Sequence, residues 1–162
     1  MVHGRAQVHE ITIGGRGDGT IEAYHLDVVQ DAGAYPSMAA FLPYLTRAMA
    51  AGTYAIPTVT SYARVALTTT TPVGSYRGAG RPEATAAIER AVDLFAAEVG
   101  LDPVEVRRRN LLPAFSEART TAAGTTYDCG DYPGSARPGA GGGAVRRPAR
   151  RAGPAAGGRR DP

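Results

Sequence analysis

Thr71-Pro72-Val73-Gly74-Ser75-Tyr76-Arg77-Gly78-Ala79-Gly80-Arg81-Pro82-Glu83-Ala84 joins a β-type run, Thr58 to Leu67, to the clearest helical pattern in the chain. Downstream of this loop, Ala84, Ile88, Val92, Phe95 and Val99 recur at spacings of three or four, the apolar stripe of an amphipathic helix over Pro82–Val99. Pro82 suits the first helical position, where its missing N–H would lack a partner anyway. Glu83 complements the positive end of the helix dipole, and Gly100 closes the helix. Within the loop, Gly74, Gly78 and Gly80 let the backbone approach a ligand closely. The helix start adds unpaired N–H groups and positive potential. Arg77 and Arg81 add fork-shaped cationic donors. Taken as residues alone, the loop fits an anion site, for a phosphate or for metal-oxo oxygens, or a plain strand-to-helix connection, which is the commoner thing. It is not a Walker loop, for it lacks Gly-Lys-Ser/Thr, and its glycine spacing is not that of a dinucleotide-binding fingerprint.

Upstream, Gln7 to Ile13 and Thr20 to Val29 alternate polar and apolar residues about the turn cluster Gly14-Gly15-Arg16-Gly17-Asp18-Gly19, which predicts an antiparallel hairpin. Asp18-Gly19-Thr20 lacks the further acidic positions of a calcium loop and reads as a turn. His9 and His25 fall in the two strands, where they are placed to face each other; with His3 they show no ligand-like pairing. Ser37 is the expected N-cap of a short helix ending near Ala51, with Gly52 as its stop. After Gly100 a second helix is expected over about 102–110, with Asp102 as N-cap, Pro103 as first helical residue and Glu105 three after the cap. Arg107-Arg108-Arg109 sit at its C-terminal end, where cations favour the dipole. Residues 114–134 are polar and turn-rich. The predicted fold class is α+β, with antiparallel strands, one long helix and one short one.

Composition divides the chain in two. Residues 1–134 carry 11 Arg against 14 Asp and Glu, and nearly all the large apolar side chains. Residues 135–162 carry 7 Arg, 7 Gly, 7 Ala and 4 Pro against one Asp, so the basic balance of the whole chain belongs to this tail. Such a segment buries too little apolar surface to offset chain entropy and is expected to be disordered. Its four dominant residue types share codons opening on two G or C bases, and the chain has no lysine. The tail therefore reads as an out-of-frame translation of a GC-rich gene, with a native low-complexity tail as the alternative. The expected domains are 1–134, folded, and 135–162, disordered. The single cysteine, Cys129, excludes an intrachain disulfide and a Cys-rich metal site, and no activating neighbour marks it as reactive. No apolar run approaches the roughly 20 residues of a membrane span. The N-terminus lacks the apolar core of a signal peptide. A soluble cytoplasmic protein is expected.

The loop, from Thr71 to Ala84, resembles the cofactor loop of the large subunits of xanthine dehydrogenase/aldehyde oxidase-type molybdenum hydroxylases. The resemblance extends upstream through Gly4-Arg5-Ala6-Gln7-Val8-His9-Glu10, Gln30-Asp31-Ala32-Gly33-Ala34-Tyr35-Pro36 and Gly52-Thr53-Tyr54-Ala55-Ile56-Pro57. Downstream it takes in Glu89-Arg90-Ala91-Val92-Asp93, the run Gly100 to Leu112, and Tyr127-Asp128-Cys129-Gly130-Asp131-Tyr132. It implies a partial molybdopterin-binding domain, with molybdenum on a molybdopterin cofactor, in bacteria usually the cytosine dinucleotide form. It also implies iron–sulfur and FAD subunits as partners, and hydroxylation of a small-molecule substrate with water-derived oxygen. By the same resemblance Tyr76, Arg77, Gly78 and Ala79 are cofactor-binding, with the Arg77 backbone at the molybdenum centre. Copper-containing carbon monoxide dehydrogenases have Cys where this chain has Gly78, so the resemblance is to copper-free relatives acting on aldehydes, purines or N-heterocycles. Arg47 stands at a spacing loosely like that of a substrate-orienting arginine in some relatives. The chain departs from the family in running Thr68-Thr69-Thr70-Thr71 where Thr-Asn is frequent, and in having Cys129 where Ser is common. A Gly-Gly-Phe-Gly cofactor segment and a later segment bearing the general-base glutamate are absent. No catalytic residue is assigned, and the chain alone is expected to be inactive. The rival expectation is a non-enzymatic binding module whose basic tail grips nucleic acid; under the out-of-frame reading no nucleic-acid partner is expected.

Overall fold

A computed structural model of the chain describes residues 3–136. β1 (Gln7–Gly15) and β2 (Ile21–Gly33) form the expected antiparallel hairpin, in register from Gln7 opposite Gln30 to Gly14 opposite Ala23, with a shift at Gly15. β3 (Thr58–Leu67) adds to the other edge of β2 in parallel, so the sheet is mixed, in the order β1-β2-β3. A parallel neighbour demands a crossover, and residues 34–57 supply it. They contain a 3₁₀ turn at Met38–Ala40 and the helix α1 (Leu42–Ala48).

β2 is the spine because alternate residues Tyr24, Leu26, Val28, Gln30 and Ala32 are all buried on one face. Against that face lies α2 (Arg81–Glu98), which buries Ala84, Ala87, Ile88, Ala91, Val92, Phe95 and Ala96. The small alanines let helix and sheet approach, and Ile88, Val92 and Phe95 fill the space between them. α3 (Pro103–Asn110) follows after Gly100, whose φ of 71° ends α2 as a left-handed stop. The Asp102 side chain accepts from Val104 N–H, as expected of an N-cap. Arg107 holds α3 to α2 through ion pairs with Glu89 at 2.7 Å and Asp93 at 2.8 Å. The Tyr54 hydroxyl donates to the same Glu89 at 2.7 Å. Two short strands, β4 (Arg119–Thr120) and β5 (Thr126–Tyr127), pair as a separate hairpin, and α4 (Tyr132–Ser135) closes the described chain.

Two local expectations change. Ser37 makes no capping hydrogen bond; the residues it was to cap divide into the 3₁₀ turn and α1, whose N-cap is Phe41 and whose first turn holds Pro43. His9 and His25 do not face each other. The register sets His9 opposite Val28 and His25 opposite Thr12, three pairs apart. His25 bonds Thr60 Oγ1 at 2.7 Å across to β3, and His9 bonds Gln7 Oε1 at 2.8 Å along its own strand. The tail beyond Ala136, with its expected disorder, out-of-frame origin and nucleic-acid grip, lies outside the described residues.

Candidate functional site

The loop begins where β3 ends, and Asp31 shapes its approach. One carboxylate oxygen of Asp31 accepts from Gly33 N–H at 2.8 Å and Thr68 Oγ1 at 2.7 Å, and the other accepts from Thr70 Oγ1 at 3.0 Å. The threonine run thus folds back over the end of β2, where Ala34 N–H bonds Thr70 O and Val73 N–H bonds Ala32 O. These donors, the Thr68 hydroxyl foremost, hold the Asp31 carboxyl below its ordinary pKa. A depressed folded-state pKa stabilises the fold above the unfolded-state value and ceases to do so as pH falls through the folded one. Thr68→Val is therefore expected to flatten the loss of stability on acidification below about pH 4, read as urea midpoints at a series of pH values. An identical slope in the variant would refute that assignment.

A second strand-like segment flanks the loop. His3 lies parallel to Val73, with His3 N–H donating to Pro72 O at 3.2 Å and Gly74 N–H donating to His3 O at 2.7 Å. The chain then turns through Gly78, Ala79 and Gly80, all at positive φ (94°, 41° and 85°). Ala79 in that region costs of order 1–3 kcal/mol, which the surrounding packing must offset. Ala79 N–H closes on Tyr76 O, Arg81 N–H on Gly78 O and Ala84 N–H on Gly80 O, which starts α2. Among the described residues, the amides of Ser75, Tyr76, Arg77 and Gly78 have no intramolecular acceptor. Ser75 to Gly78 are also exposed, Tyr76 at 66%. Four amides without an acceptor, on exposed residues beside a helix N-terminus and the exposed Arg77 and Arg81, are the kind of edge that suits an anion.

Sequence reasoning named Tyr76, Arg77, Gly78 and Ala79, and the structure gathers them on one turn. It also sets Arg47 and Arg81, 34 positions apart, on a shared cleft of about 420 Å³ with Tyr44, Ser61, Gly124 and Thr125. Arg47 Nε donates to Ser61 Oγ at 3.1 Å there. Two residues behind the loop, Arg5 and Asp31, were missed. Arg5 donates from Nη2 to Arg77 O at 2.8 Å, and its Nη1 lies 3.1 Å from Glu83 Oε2. The contacts of Arg5 with Arg77 and Glu83, and of Asp31 with Thr68 and Thr70, span at least 37 positions, and nothing in the local pattern marks those partners. Beneath the loop, Gln7 hydrogen-bonds both Gln30 and Thr46, which joins β1, β2 and α1. His9 borders it, and burial holds its imidazole below the ordinary pKa against the opposing charge of Glu83.

The chain is similar to known proteins in sequence and in fold. The chain is 37% identical over 113 residues to the 6-hydroxypseudooxynicotine dehydrogenase complex subunit gamma of Paenarthrobacter nicotinovorans, covering 69% of this chain and 14% of that one. It is 34% identical over 119 residues to the carbon monoxide dehydrogenase large chain of Hydrogenophaga pseudoflava, covering 71% and 15%. The crystal structure of quinoline 2-oxidoreductase from Pseudomonas putida 86 superposes with a TM-score of 0.76 at 30% identity, over 83% of this chain and 18% of that one. The chain thus spans about 14% of the length of curated relatives it matches. Residues 1–111 match the family model described as the molybdopterin cofactor-binding domain, and this chain belongs to that family.

Proposed function

We propose that the Gly74–Arg81 loop forms one wall of a molybdopterin site in the large subunit of a molybdenum hydroxylase. The observation that carries this reading is the run of exposed residues Ser75 to Gly78, beside the start of α2, whose amides have no acceptor among the described residues. Such an edge fits the anionic oxygens of a phosphorylated, metal-bearing cofactor better than an apolar ligand. In this reading Tyr76, Arg77, Gly78 and Ala79 contact the cofactor, and the Arg77 backbone stands nearest the metal. The Arg77 carbonyl accepts from Arg5 Nη2 at 2.8 Å, so the backbone group left for the ligand is the N–H. Arg77 and Arg81, both exposed, add positive charge to the loop. The bound cofactor would supply two-electron oxidation, hydroxylating a substrate carbon with oxygen from water. The chain's own residues bind and orient it.

Further parts of the proposal rest on likeness to relatives. The cofactor is the cytosine dinucleotide form, iron–sulfur and FAD subunits carry electrons away, and the complex works in the cytoplasm on an aldehyde, purine or N-heterocycle. Among the described residues no helix is long and apolar enough to cross a membrane. The copper-free assignment has a steric argument behind it. A Cβ at Gly78 would stand 2.5 Å from Pro82 Cγ, at a φ of 94° that side chains rarely adopt. A cysteine there would require the loop or the Pro82 ring to shift. Gly78→Cys is expected to cost roughly 1–3 kcal/mol in urea unfolding, the usual scale of such backbone strain. An unchanged unfolding midpoint would show that position 78 accepts a side chain.

The function itself is tested by expressing the full chain with its iron–sulfur and flavin partners in a host that makes the cofactor. Molybdenum and pterin are expected to co-purify. Their absence from the wild-type complex would defeat the proposal.

A further inference from the structure

We propose that Arg5 is the positioning residue of the cofactor loop, a clasp that fixes the ligand-facing edge before any ligand arrives. One guanidinium makes three contacts on two elements. It donates to Arg77 O at 2.8 Å, pairs with Glu83 Oε2 at 3.1 Å, and lies 5.0 Å from the Tyr76 ring centroid. The loop is thereby joined to the first turn of α2 at a point its own backbone hydrogen bonds do not reach. Only a planar, multi-donor cation can serve a carbonyl, a carboxylate and an aromatic face together.

Two further observations support an ordering role. The Glu83 carboxylate is mostly buried, its side chain 9% exposed, and Oε2 has no well-directed hydrogen bond among the described residues. The Arg5 charge is therefore its near neighbour, and losing that charge would leave a buried anion poorly compensated. Arg5 itself is held at a φ of 61°, a left-handed conformation that L-residues avoid. Structure that maintains a strained backbone of this kind is over-determined by its surroundings. Here the surroundings are the His3–Val73 bridge on one side and Gly4 against Tyr76 on the other, where even a methyl group at Gly4 would come within 2.9 Å of Tyr76 Cβ.

Hydrogen exchange on the full chain reads the clasp directly through the Ala79 and Arg81 amides, which bond Tyr76 O and Gly78 O. In Arg5→Ala these amides are expected to exchange about tenfold faster, the scale of one charge-assisted hydrogen bond, while the interiors of β2 and α2 keep their protection. Arg5→Lys is expected to match Arg5→Ala at the loop, because an ammonium reaching Glu83 cannot also fork to Arg77 O and cover Tyr76. Unchanged loop exchange in a folded Arg5→Ala overturns the proposal, as does full rescue by lysine. If Arg5→Ala does not fold, Glu83→Gln removes the charge at constant shape and should loosen the same two amides; unaltered exchange there overturns it equally. The consequence for cofactor retention rests on the molybdopterin reading. In the co-expressed complex, molybdenum and pterin content should fall about tenfold in Arg5→Ala, the same lost interaction read as binding. A loosened loop with undiminished cofactor would support the clasp and count against the cofactor reading.

Discussion

Gly80→Ala is expected to cost roughly 2–6 kcal/mol, for one added methyl group, because two independent penalties fall on the same carbon. The first is conformational. Gly80 sits at φ 85°, a region that carries a strain cost of order 1–3 kcal/mol for other residues. The second is steric. A Cβ at Gly80 would stand 2.8 Å from Leu42 O, 2.8 Å from Thr46 N and 2.9 Å from Leu45 Cβ. Two of those atoms are α1 backbone, which cannot rotate away as a flexible side chain would, so the helix or the loop must shift. Overpacking of that kind adds roughly 1–3 kcal/mol. Gly100→Ala separates the two penalties. Gly100 has a φ of 71° with nothing within 4 Å of the added carbon, so only the conformational cost applies. Urea unfolding followed by circular dichroism should therefore show Gly80→Ala losing clearly more stability than Gly100→Ala. Equal losses would mean that α1 yields freely and that the loop is not seated on it. Against the 5–15 kcal/mol of an ordinary domain, the larger loss would threaten folding itself.

That seating explains which parts of the site were legible in the sequence. The glycines at 74, 78 and 80 announced a tight loop ahead of a helix, because a left-handed backbone and a close approach both select glycine. The long helix and the capped short helix were equally legible, since 3.6-residue periodicity and an Asp-Pro start are local signals. Partners far along the chain were not. Arg5 reaches Arg77 and Glu83 across more than 70 positions, and no spacing rule connects them. The parallel placement of β3 was hidden for a similar reason: its β-branched, alternating run suits either direction, and the crossover through α1 decides it. Ser37 failed as a cap because cap preference is a weak local force. The chain there folds into a 3₁₀ turn that spends Phe41 N–H on Met38 O and lets α1 begin afresh.

The other large effect is expected at Asn110, the last residue of α3. It is 4% exposed and uses its whole amide. Its oxygen accepts from Ile21 N–H at 2.8 Å, and its nitrogen donates to Gly19 O and to Val106 O, each at 2.8 Å. Gly19 lies in the turn of the β1–β2 hairpin and Ile21 opens β2, so one side chain ties the end of that turn to α3 across some 90 positions. Asn110→Ala would strand a buried donor and acceptor, at an expected cost of roughly 2–4 kcal/mol. Asn110→Asp tests whether the donor half matters. The carboxylate could still accept from Ile21 N–H, but it would set a buried anion against the Gly19 and Val106 carbonyls. Protonation relieves that conflict, which raises the folded-state pKa of the introduced group above its unfolded value. The sign of the linkage then reverses relative to Asp31: Asn110→Asp should be nearer wild type below about pH 4 and should lose stability progressively as pH rises toward 7. Urea midpoints at pH 4 and pH 7 for wild type, Asn110→Ala and Asn110→Asp give the comparison. A pH-independent deficit in Asn110→Asp would show that water reaches the site. A loss under about 1 kcal/mol in Asn110→Ala would show that the hairpin turn is held by packing alone, below the usual cost of a stranded buried polar group.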